Sequence, residues 1–467
     1  MIESSRSKER TAMRIQARAK INWTLDITGQ REDGYHLMDM LMQPVTLHDI
    51  VTIEPAEAVT LTTSGQPLLP PDESHLALRA ARALQRHTGC PLGAAIHVEK
   101  HIPVGAGMGG GSADAAAVLH GLNRLWNLGL TQAELEQVGL TLGADVPFCL
   151  RGGLTRTTGI GERMEPLPCG RDWPLVVIQP CEGLSTGAVF RAWHQQAEVS
   201  RPATEDAARA LAEGDLPLLA RSLDNVLQPV SQRMRPEIAQ AIDALKAQGA
   251  SAALMTGSGS AVFGVFARNE DAQVAYERLR SRWERTWLCA TCRESLAFST
   301  WIETPRLIIT DFTPDMAHAL HLASLDEDMR RFLPDEVFPT EESAREIIEE
   351  LMGCYGGRSG PFVHPVLLKD GAFIGYVELP PLGDGWEIGY HIAKSHTGRG
   401  YAAEAVSAFL PVMMAKLGIT QVQGVCHGDN LASRRVLEKC GFRRVYEGEA
   451  LYHGAMNPVY KAVFTLE

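Results

Sequence analysis

Five glycines stand within seven residues at positions 105–111, directly before a long segment of helical periodicity. Because glycine has no Cβ atom, such a run can turn tightly around a large anion. The helix that follows would direct its unpaired N–H groups and the positive end of its dipole at the same charge. The segment therefore predicts a phosphate-binding loop, and the rest of the sequence must decide which phosphate compound it takes.

The flanking sequence predicts both strands and helices. Residues 14–28 alternate strictly between apolar and polar side chains, which predicts a long strand with Lys20 and Asn22 on one polar face. Residues 112–128 read as a helix ended by Gly129, and Thr131 with Glu134 predicts a capping box for the next helix. This mixture indicates an α+β fold rather than a regular alternation of strand and helix.

Length and composition limit the function classes. A chain of 467 residues with 45% apolar and 21% charged residues is expected to form two or three globular domains. The formal charge of −12 argues against nucleic acid as a partner. Nine cysteines include only one CxxC pair, at 289–292, so we expect free thiols and no metal site. Without an apolar leader or a continuously apolar window of membrane length, we expect a cytoplasmic protein that does not bind membranes.

The glycine run also matches the dinucleotide pattern GxGxxG at residues 105–110. That reading, a dinucleotide-dependent oxidoreductase, requires an acidic residue about 20 positions later to bind a ribose. Residues 115–133 contain no Asp or Glu, so the dinucleotide reading fails its own test. The Walker pattern GxxxxGK[ST] is absent as well. A nucleoside triphosphate loop and a purely structural glycine turn remain as alternatives.

Four blocks, in order and with sensible spacing, resemble the GHMP kinases over about residues 13–295. The blocks are A-K-I-N at 19–22 with T-G-Q-R-E-D-G-Y-H at 28–36, P-V-G-A-G-M-G-G-G-S at 103–112, G-A-D-V-P-F at 143–148, and M-T-G-S-G-S at 255–260. Their details resemble the members that phosphorylate the 2-hydroxyl of 4-diphosphocytidyl-2-C-methyl-D-erythritol on the non-mevalonate route to isoprenoids. The resemblance implies a two-lobed kinase fold, with ATP and Mg²⁺ as donor and cofactor.

The resemblance also implies roles for individual residues. Asp145 matches the catalytic aspartate that accepts the hydroxyl proton, and Lys20 matches the lysine that stabilises the phosphoryl charge. Without the resemblance, an isolated aspartate is usually a turn or cap residue and a strand lysine is usually solvated. The residues matching the substrate-binding positions are Asn22, Tyr35, His36 and Phe190, with Tyr35 and Phe190 enclosing the cytosine ring. The residues matching the ATP-binding positions are Pro103, Val104, Gly105, Ala106, Gly107, Met108, Gly109, Gly110, Gly111, Ser112 and Ala113.

The assignments at Phe190 and His75 are less specific than the others. Phe190 is equally compatible with ordinary core packing. His75 stands where members of the family often carry an asparagine near the adenine, which leaves that contact open.

From about residue 303 the chain resembles the GNAT acetyltransferase superfamily, nearest to the ribosomal-protein-alanine acetyltransferase type. A predicted strand leads to a glycine turn at 398–400 that opens a helix, and a second helix follows Asn430. The resemblance implies a separate α/β domain. The residues it implies for binding acetyl-CoA are Gly398, Arg399, Gly400, Tyr401, Asn430 and Ser433. Leu437 occupies the position where many members carry a tyrosine general acid.

Two glutamates of this second part are candidate bases. Glu378 and Glu387 lie in predicted strands, where carboxylates are more often merely solvated than catalytic. The acetyl acceptor cannot be read from the sequence. The second part is accordingly predicted to be either an N-acetyltransferase or a regulatory module that binds acetyl-CoA without catalysis.

The predicted organisation has four segments. Residues 1–12 form a disordered extension, 13–167 the ATP-binding lobe, 168–298 the second kinase lobe and 303–467 the acetyltransferase domain. The partners implied are small molecules, namely the cytidylylated substrate, ATP and acetyl-CoA.

Overall fold

The computed structural model describes residues 13–32, 34–65, 69–195, 201–326, 337–355, 359–383, 385–452 and 455–466. The predicted disordered extension at 1–12 lies outside these residues. The described chain forms two compact units, one from Arg14 to Ala297 and one that begins at Phe298 and also includes Met13, so that the end residues of the strands Met13–Gln30 and Leu296–Ser299 are counted with the second unit. No helix in the described part is long and apolar enough to cross a membrane.

The first unit combines two sheets with ten helices among its described residues. Its strands are β1 (Met13–Gln30), β2 (His36–Ala56), β3 (Thr60–Gly65), β4 (Gly93–Lys100), β5 (Thr155–Gly159), β6 (Arg163–Pro166), β7 (Pro174–Ile178), β8 (Asp224–Asn225), β9 (Ala252–Met255), β10 (Val262–Val265), β11 (Thr286–Ala290) and β12 (Leu296–Ser299). Its helices are α1 (Leu76–Thr88), α2 (Gly110–Leu125), α3 (Gln132–Leu140), α4 (Val146–Arg151), α5 (Thr186–Trp193), α6 (Thr204–Glu213), α7 (Leu216–Ser222), α8 (Gln228–Met234), α9 (Glu237–Ala247) and α10 (Asn269–Leu279).

The larger sheet has the order β12-β1-β2-β4-β3, with β5 and β6 continuing from β2 and β8 beside β1. The smaller sheet has the order β11-β7-β10-β9. Along β1 the polar face is covered as well as the apolar one, since every residue from Ala19 to Leu25 is buried. The strand predicted at 45–54 is the second half of β2, which begins at His36.

Helix α2 ends earlier than the sequence pattern predicts. We expected it to run to residue 128, but it stops at Leu125 because Asn127 adopts a left-handed backbone with φ 51°. Gly129 is left-handed too, at φ 69°, and follows the end of the helix instead of causing it. The capping box at Thr131 is confirmed, with its hydroxyl accepting from the Glu134 N–H and the Glu134 carboxylate accepting from the Thr131 N–H.

The second unit packs its longest helix among five- and three-stranded sheets. Its strands are β13 (Trp301–Glu303), β14 (Leu307–Thr310), β15 (Phe362–Leu368), β16 (Phe373–Leu379), β17 (Pro381–Leu382), β18 (Gly385–Trp386), β19 (Gly389–Ile392), β20 (Gln421–His427), β21 (Arg443–Tyr452) and β22 (Ala455–Thr465). Its helices are α11 (Ala317–Ser324), α12 (Glu341–Cys354), α13 (Tyr401–Leu417) and α14 (Leu431–Lys439), with short 3-10 turns at 314–316 and 394–396. The sheet orders are β13-β14-β15-β16-β19 and β20-β22-β21, with β17 and β18 forming a separate pair.

The predicted hairpin through Asp370 and Gly371 is present, joining β15 to β16 with Gly371 at φ 88°. The single strand predicted at 385–393 is instead divided into β18 and β19. The chain changes partner between them, because the Glu387 N–H donates to Pro380 O and the Ile388 N–H to Gln423 O of β20. Apolar side chains of α13, including Phe409 and Met413, pack against both sheets to form the core.

Candidate active sites

The glycine loop of the first unit has an alternating backbone. Gly105, Gly107 and Gly109 are left-handed, with φ of 67°, 77° and 73°, whereas Ala106 and Met108 turn their side chains into the core. A methyl group on Gly107 would meet the carbonyl oxygen of Thr256. Glycine is therefore required here both for backbone conformation and for close approach.

Three neighbouring segments hold this loop in place. The Lys20 N–H of β1 donates to Met108 O at 3.0 Å, and the Ala261 N–H donates to Ala106 O at 3.1 Å. The Gln179 side chain donates to Val104 O at 2.9 Å. Helix α2 begins directly after Gly109 without a side-chain cap, so no side chain competes for the N–H groups of its first turn. This arrangement suits a phosphate group.

Lys20 and Asp145 meet at the end of the loop. The Lys20 Nζ lies 3.5 Å from Asp145 Oδ2, and a methyl group on Gly109 would come within 3.2 Å of Lys20 Cγ and 3.8 Å of Asp145 Oδ2. The Lys20 side chain is almost fully buried, but that of Asp145 is 33% exposed and makes no capping bond to α4. Lys20 is thus not a solvated strand lysine, and Asp145 stands at the N-cap position of α4 without capping the helix through its side chain.

Asn22 connects Lys20 to the segment at 255–260. Its side-chain Oδ1 accepts from Lys20 Nζ at 2.8 Å and from the Gly257 N–H at 3.1 Å. Its main-chain N–H donates to Thr256 Oγ1 at 3.1 Å. Asn22 is fully buried. All four sequence blocks therefore converge on one point, where Asn22 orients the Lys20 ammonium.

The residues predicted to bind cytosine lie around α5. The Phe190 ring stacks on His36 with centroids 4.4 Å apart, and His36 Nε2 lies 2.8 Å from His194 Nε2. The pKa of His36 is lowered, mainly by burial and to a smaller extent by the neighbouring His194. Tyr35 is 61% exposed beside them. Phe190 is therefore part of an aromatic cluster with His36, Trp193 and His194 and not of the main core.

Asp49, Lys100 and Asp114 form a buried cluster that the sequence patterns did not predict. Lys100 Nζ donates to Asp114 Oδ2 at 2.7 Å and to Asp49 Oδ2, and all three residues are buried. One signal was available in the sequence. Asp114 precedes Val118 by four residues and Leu122 by eight, so it lies on the apolar face of α2, where a carboxylate requires a partner.

The second unit contains a further glycine turn at a helix start. Gly398 and Gly400 have φ of 75° and 81°, and α13 begins at the next residue without a side-chain cap. Arg306 holds the turn, with Nη1 donating to Arg399 O at 2.9 Å and Nε donating to Glu404 Oε2 at 2.6 Å. Its guanidinium also lies 4.6 Å above the ring of Tyr401. Arg306 and Glu404 thus support the predicted CoA loop, a role that their sequence positions did not reveal.

The two remaining predicted CoA residues lie at α14. The Asn430 side chain accepts from the Ser433 N–H at 3.0 Å and so caps the helix. The hydroxyl of Tyr390 on β19 lies 2.8 Å from Ser433 Oγ and joins the helix to the five-stranded sheet.

Glu387 differs from an ordinary strand carboxylate. It pairs with Gln423 at an isolated bridge between the two sheets. Burial raises the pKa of Glu387 to about 7, although Lys461 acts in the opposite direction. Glu378 lies on β16 opposite Gly389 of β19, where the absence of a side chain on Gly389 makes room for the Glu378 carboxylate. The raised pKa of Glu387 suits general-base chemistry near neutral pH.

Family comparisons agree with this division of the chain. The model of the GHMP kinases N terminal domain matches residues 75–153, and that of the GHMP kinases C terminal domain matches residues 207–285. The model of an acetyltransferase (GNAT) domain matches residues 306–443. The two glycine turns thus fall in two different families of domain.

Individual relatives cover the first unit almost completely. The chain is 43% identical over 280 residues to a 4-diphosphocytidyl-2-C-methyl-D-erythritol kinase of Symbiobacterium thermophilum, covering 60% of this chain and 99% of that protein. It is 40% identical over 277 residues to the kinase of the same name from Alkaliphilus metalliredigens, covering 59% of this chain and 95% of that protein. A crystal structure of 4-(cytidine 5'-diphospho)-2C-methyl-D-erythritol kinase matches with TM-score 0.52 and 36% identity, covering 60% of this chain and 99% of the chain in that structure. Through its first 60% the chain therefore belongs to the 4-diphosphocytidyl-2-C-methyl-D-erythritol kinase family within the GHMP kinases, and an acetyltransferase (GNAT) domain follows.

Proposed function

We propose that the first unit transfers the γ-phosphoryl group of ATP to the 2-hydroxyl of 4-diphosphocytidyl-2-C-methyl-D-erythritol. The observation that carries this proposal is the meeting of Lys20, Asp145 and Gly109 at the start of α2. Phosphoryl transfer needs a cradle for the phosphates, a positive charge near the transferred group and an acceptor for the hydroxyl proton. These three requirements correspond to the glycine loop, Lys20 and Asp145.

Each group has a defined role in the proposed reaction. Asp145 accepts the proton of the substrate hydroxyl, whose oxygen forms a bond to the γ-phosphorus as the bond to the β-phosphate oxygen breaks and ADP leaves. Lys20 stabilises the negative charge that develops on the transferred phosphoryl group. The low exposure of Lys20 strengthens this effect, because buried charges are poorly screened by water.

A magnesium ion is expected with ATP, yet the described residues provide no group of three or more His, Cys, Asp or Glu side chains that could hold it. We propose that Mg²⁺ arrives with the nucleotide and is held by phosphate oxygens and water. No step of the reaction is assigned to it.

The cluster of Phe190, His36 and exposed Tyr35 supports a site for a flat base. Aromatic rings stack well on a pyrimidine, and the hydrogen bond between His36 and His194 fixes the orientation of the His36 ring. The test of the kinase proposal measures ADP release with the cytidylylated substrate and, as the matched control, with methylerythritol 4-phosphate. We expect turnover with the first and at least about a hundredfold lower kcat/KM with the second, because the second lacks the base and loses its binding energy. Equal rates would refute the base site.

We propose that the second unit binds acetyl-CoA and transfers its acetyl group to an amine. The glycine turn held by Arg306 fits the pyrophosphate of CoA, which would lie against the backbone N–H groups of Arg399, Gly400 and Tyr401. Glu387 would accept a proton from the attacking amine. When bound, acetyl-CoA would supply the activated thioester.

A non-catalytic acetyl-CoA-binding module is the second candidate, favoured by Leu437 at the usual general-acid position, where the side chain is buried. The test mixes the purified protein with acetyl-CoA and a panel of amines and N-terminal peptides. Release of free CoA that depends on the amine supports catalysis. Saturable acetyl-CoA binding with no acetylated product supports the regulatory module.

A further inference from the structure

The buried cluster of Asp49, Lys100 and Asp114 lies directly under the glycine loop. Asp49 is on β2, Lys100 ends β4, and Asp114 is in the second turn of α2. Lys100 Nζ donates to both carboxylates, and the three residues are at most 3% exposed. Charges so deeply buried are retained only at considerable cost, which calls for a physical explanation.

The cluster contacts both ends of the loop. At the start, Asp49 Oδ1 accepts from the His101 N–H at 2.6 Å and the Ile102 N–H at 2.8 Å, just before Pro103. At the end, Lys100 Nζ would lie 3.4 Å from a methyl group placed on Gly110, the first residue of α2. The cluster therefore fixes the strand that enters the loop and the helix that leaves it.

The charges of the cluster do not cancel if both carboxylates are ionised. Asp49 has partners at both oxygens, whereas no described residue partners Asp114 Oδ1. Burial, assisted by Asp49, raises the pKa of Asp114 to about 8, although Lys100 opposes this shift. At neutral pH Asp114 accordingly holds a proton, which it releases on the alkaline side.

Neighbouring groups do not take over this role. His75 at the start of α1 has a pKa lowered by burial and by Lys100, and Cys149 on α4 has a pKa raised by burial, so both are neutral near pH 8. On α3, Glu134 is bonded to Thr131 and Glu136 to Arg151. The net charge beneath the loop thus depends on Asp114 in this pH range.

We propose that Asp114 is a positioning residue for the donor nucleotide. It carries the proton that keeps the buried cluster neutral, and the neutral cluster holds the loop and the start of α2 ready for the phosphates. This inference rests on the proposed kinase function. Loss of the proton would place an uncompensated negative charge beneath the phosphate site, so binding of the nucleotide should favour the protonated form.

The linkage between proton binding and nucleotide binding gives the direction in which the Kd for the nucleotide changes with pH. Below about pH 7 Asp114 is already protonated, and nucleotide binding should take up no proton from solution. Between about pH 8 and 9 part of the free protein has lost the proton, and binding should restore it. We expect uptake of about half a proton per bound nucleotide and a Kd that rises about five- to tenfold from pH 7 to 9.5.

The experiment is calorimetry of Mg-ADP binding to the full-length protein at pH 6.5 and 8.5, in two buffers that differ in ionisation enthalpy. Wild-type protein should show proton uptake only at pH 8.5, and Asp114→Asn should lose that uptake. Asp215→Asn is the matched control, because Asp215 only caps α7 by accepting from the Leu218 N–H at 2.9 Å, a bond that asparagine preserves. This control should keep the wild-type uptake.

Each outcome is decisive. Normal Mg-ADP binding by the wild type without proton uptake at pH 8.5 would overturn the inference and leave the kinase proposal standing. Uptake that persists in Asp114→Asn would assign the proton to another group and overturn it as well. Failure to bind Mg-ADP at any pH would contradict the kinase proposal itself. If Asp114→Asn does not fold, infrared difference spectra of the wild type decide, since the inference requires a protonated-carboxyl band to increase on binding at pH 8.5.

Discussion

Replacing Asp145 by asparagine should separate catalysis from binding and stability. The substitution removes the proton acceptor but preserves the shape of a side chain that is 33% exposed and makes no capping bond. General-base catalysis typically contributes about 10²–10⁴-fold, so we expect kcat to fall by that factor, equivalent to about 3–5 kcal/mol of transition-state stabilisation. The Kd for Mg-ADP should change by less than about threefold, since the loop amides are untouched.

The cost in stability should be much smaller than the cost in catalysis. The ion pair lost is 3.5 Å long and has one partly exposed member, which corresponds to about 1 kcal/mol or less. In a unit of this size that lowers Tm by about 2–4 °C. Differential scanning fluorimetry measures Tm, steady-state kinetics measures kcat, and calorimetry measures the Kd for Mg-ADP.

A double substitution strengthens the test. If Lys20 and Asp145 act on the same transition state, Lys20→Met combined with Asp145→Asn should cost far less than the product of the two single effects. Asp215→Asn, which keeps its helix cap, controls for a general effect of losing a carboxylate. A fall in kcat of less than about tenfold for Asp145→Asn, or a loss of turnover explained by weaker nucleotide binding, would refute the assigned base.

Three further predictions follow from the same structure. Gly107→Ala should raise KM for ATP at least about tenfold, because its methyl group meets Thr256 O and its φ is 77°, and an unchanged KM would contradict the loop geometry. If the second unit is an acetyltransferase, its rate should increase with pH through about 7 as Glu387 loses its proton, and Glu387→Gln should lose both the activity and this rise. A fragment of residues 14–299 should fold and retain kinase turnover, and an insoluble or inactive fragment would show that the first unit depends on the second.

Much of the active site could be predicted from local sequence. Period-two alternation was sufficient to put Lys20 and Asn22 on one face of β1, and they are bonded at 2.8 Å. The run of glycines likewise predicted a loop that opens a helix, as found at Gly105 to Gly110. These features depend on neighbours in sequence, for which periodicity and glycine conformation are direct physical signals.

The features that the sequence did not reveal depend on contacts between distant segments. The partners of Lys100 are 51 and 14 residues away, and Arg306 reaches Glu404 across 98 residues. The early end of α2 had a different cause, since the left-handed Asn127 acts before the more obvious Gly129. Long-range ion pairs leave no periodic pattern, although a charged residue on an apolar helix face, such as Asp114, indicates that a partner must exist.

The central claim is that the first unit phosphorylates a cytidylylated alcohol with ATP. The most direct measurement is a phosphorus NMR time course of the purified full-length protein with MgATP and 4-diphosphocytidyl-2-C-methyl-D-erythritol. We expect a new phosphomonoester signal to grow in step with ADP while the diphosphate signals of the substrate persist, and we expect Asp145→Asn to suppress both changes. ATP that remains intact, or ADP that appears together with inorganic phosphate and no phosphomonoester, would contradict this claim.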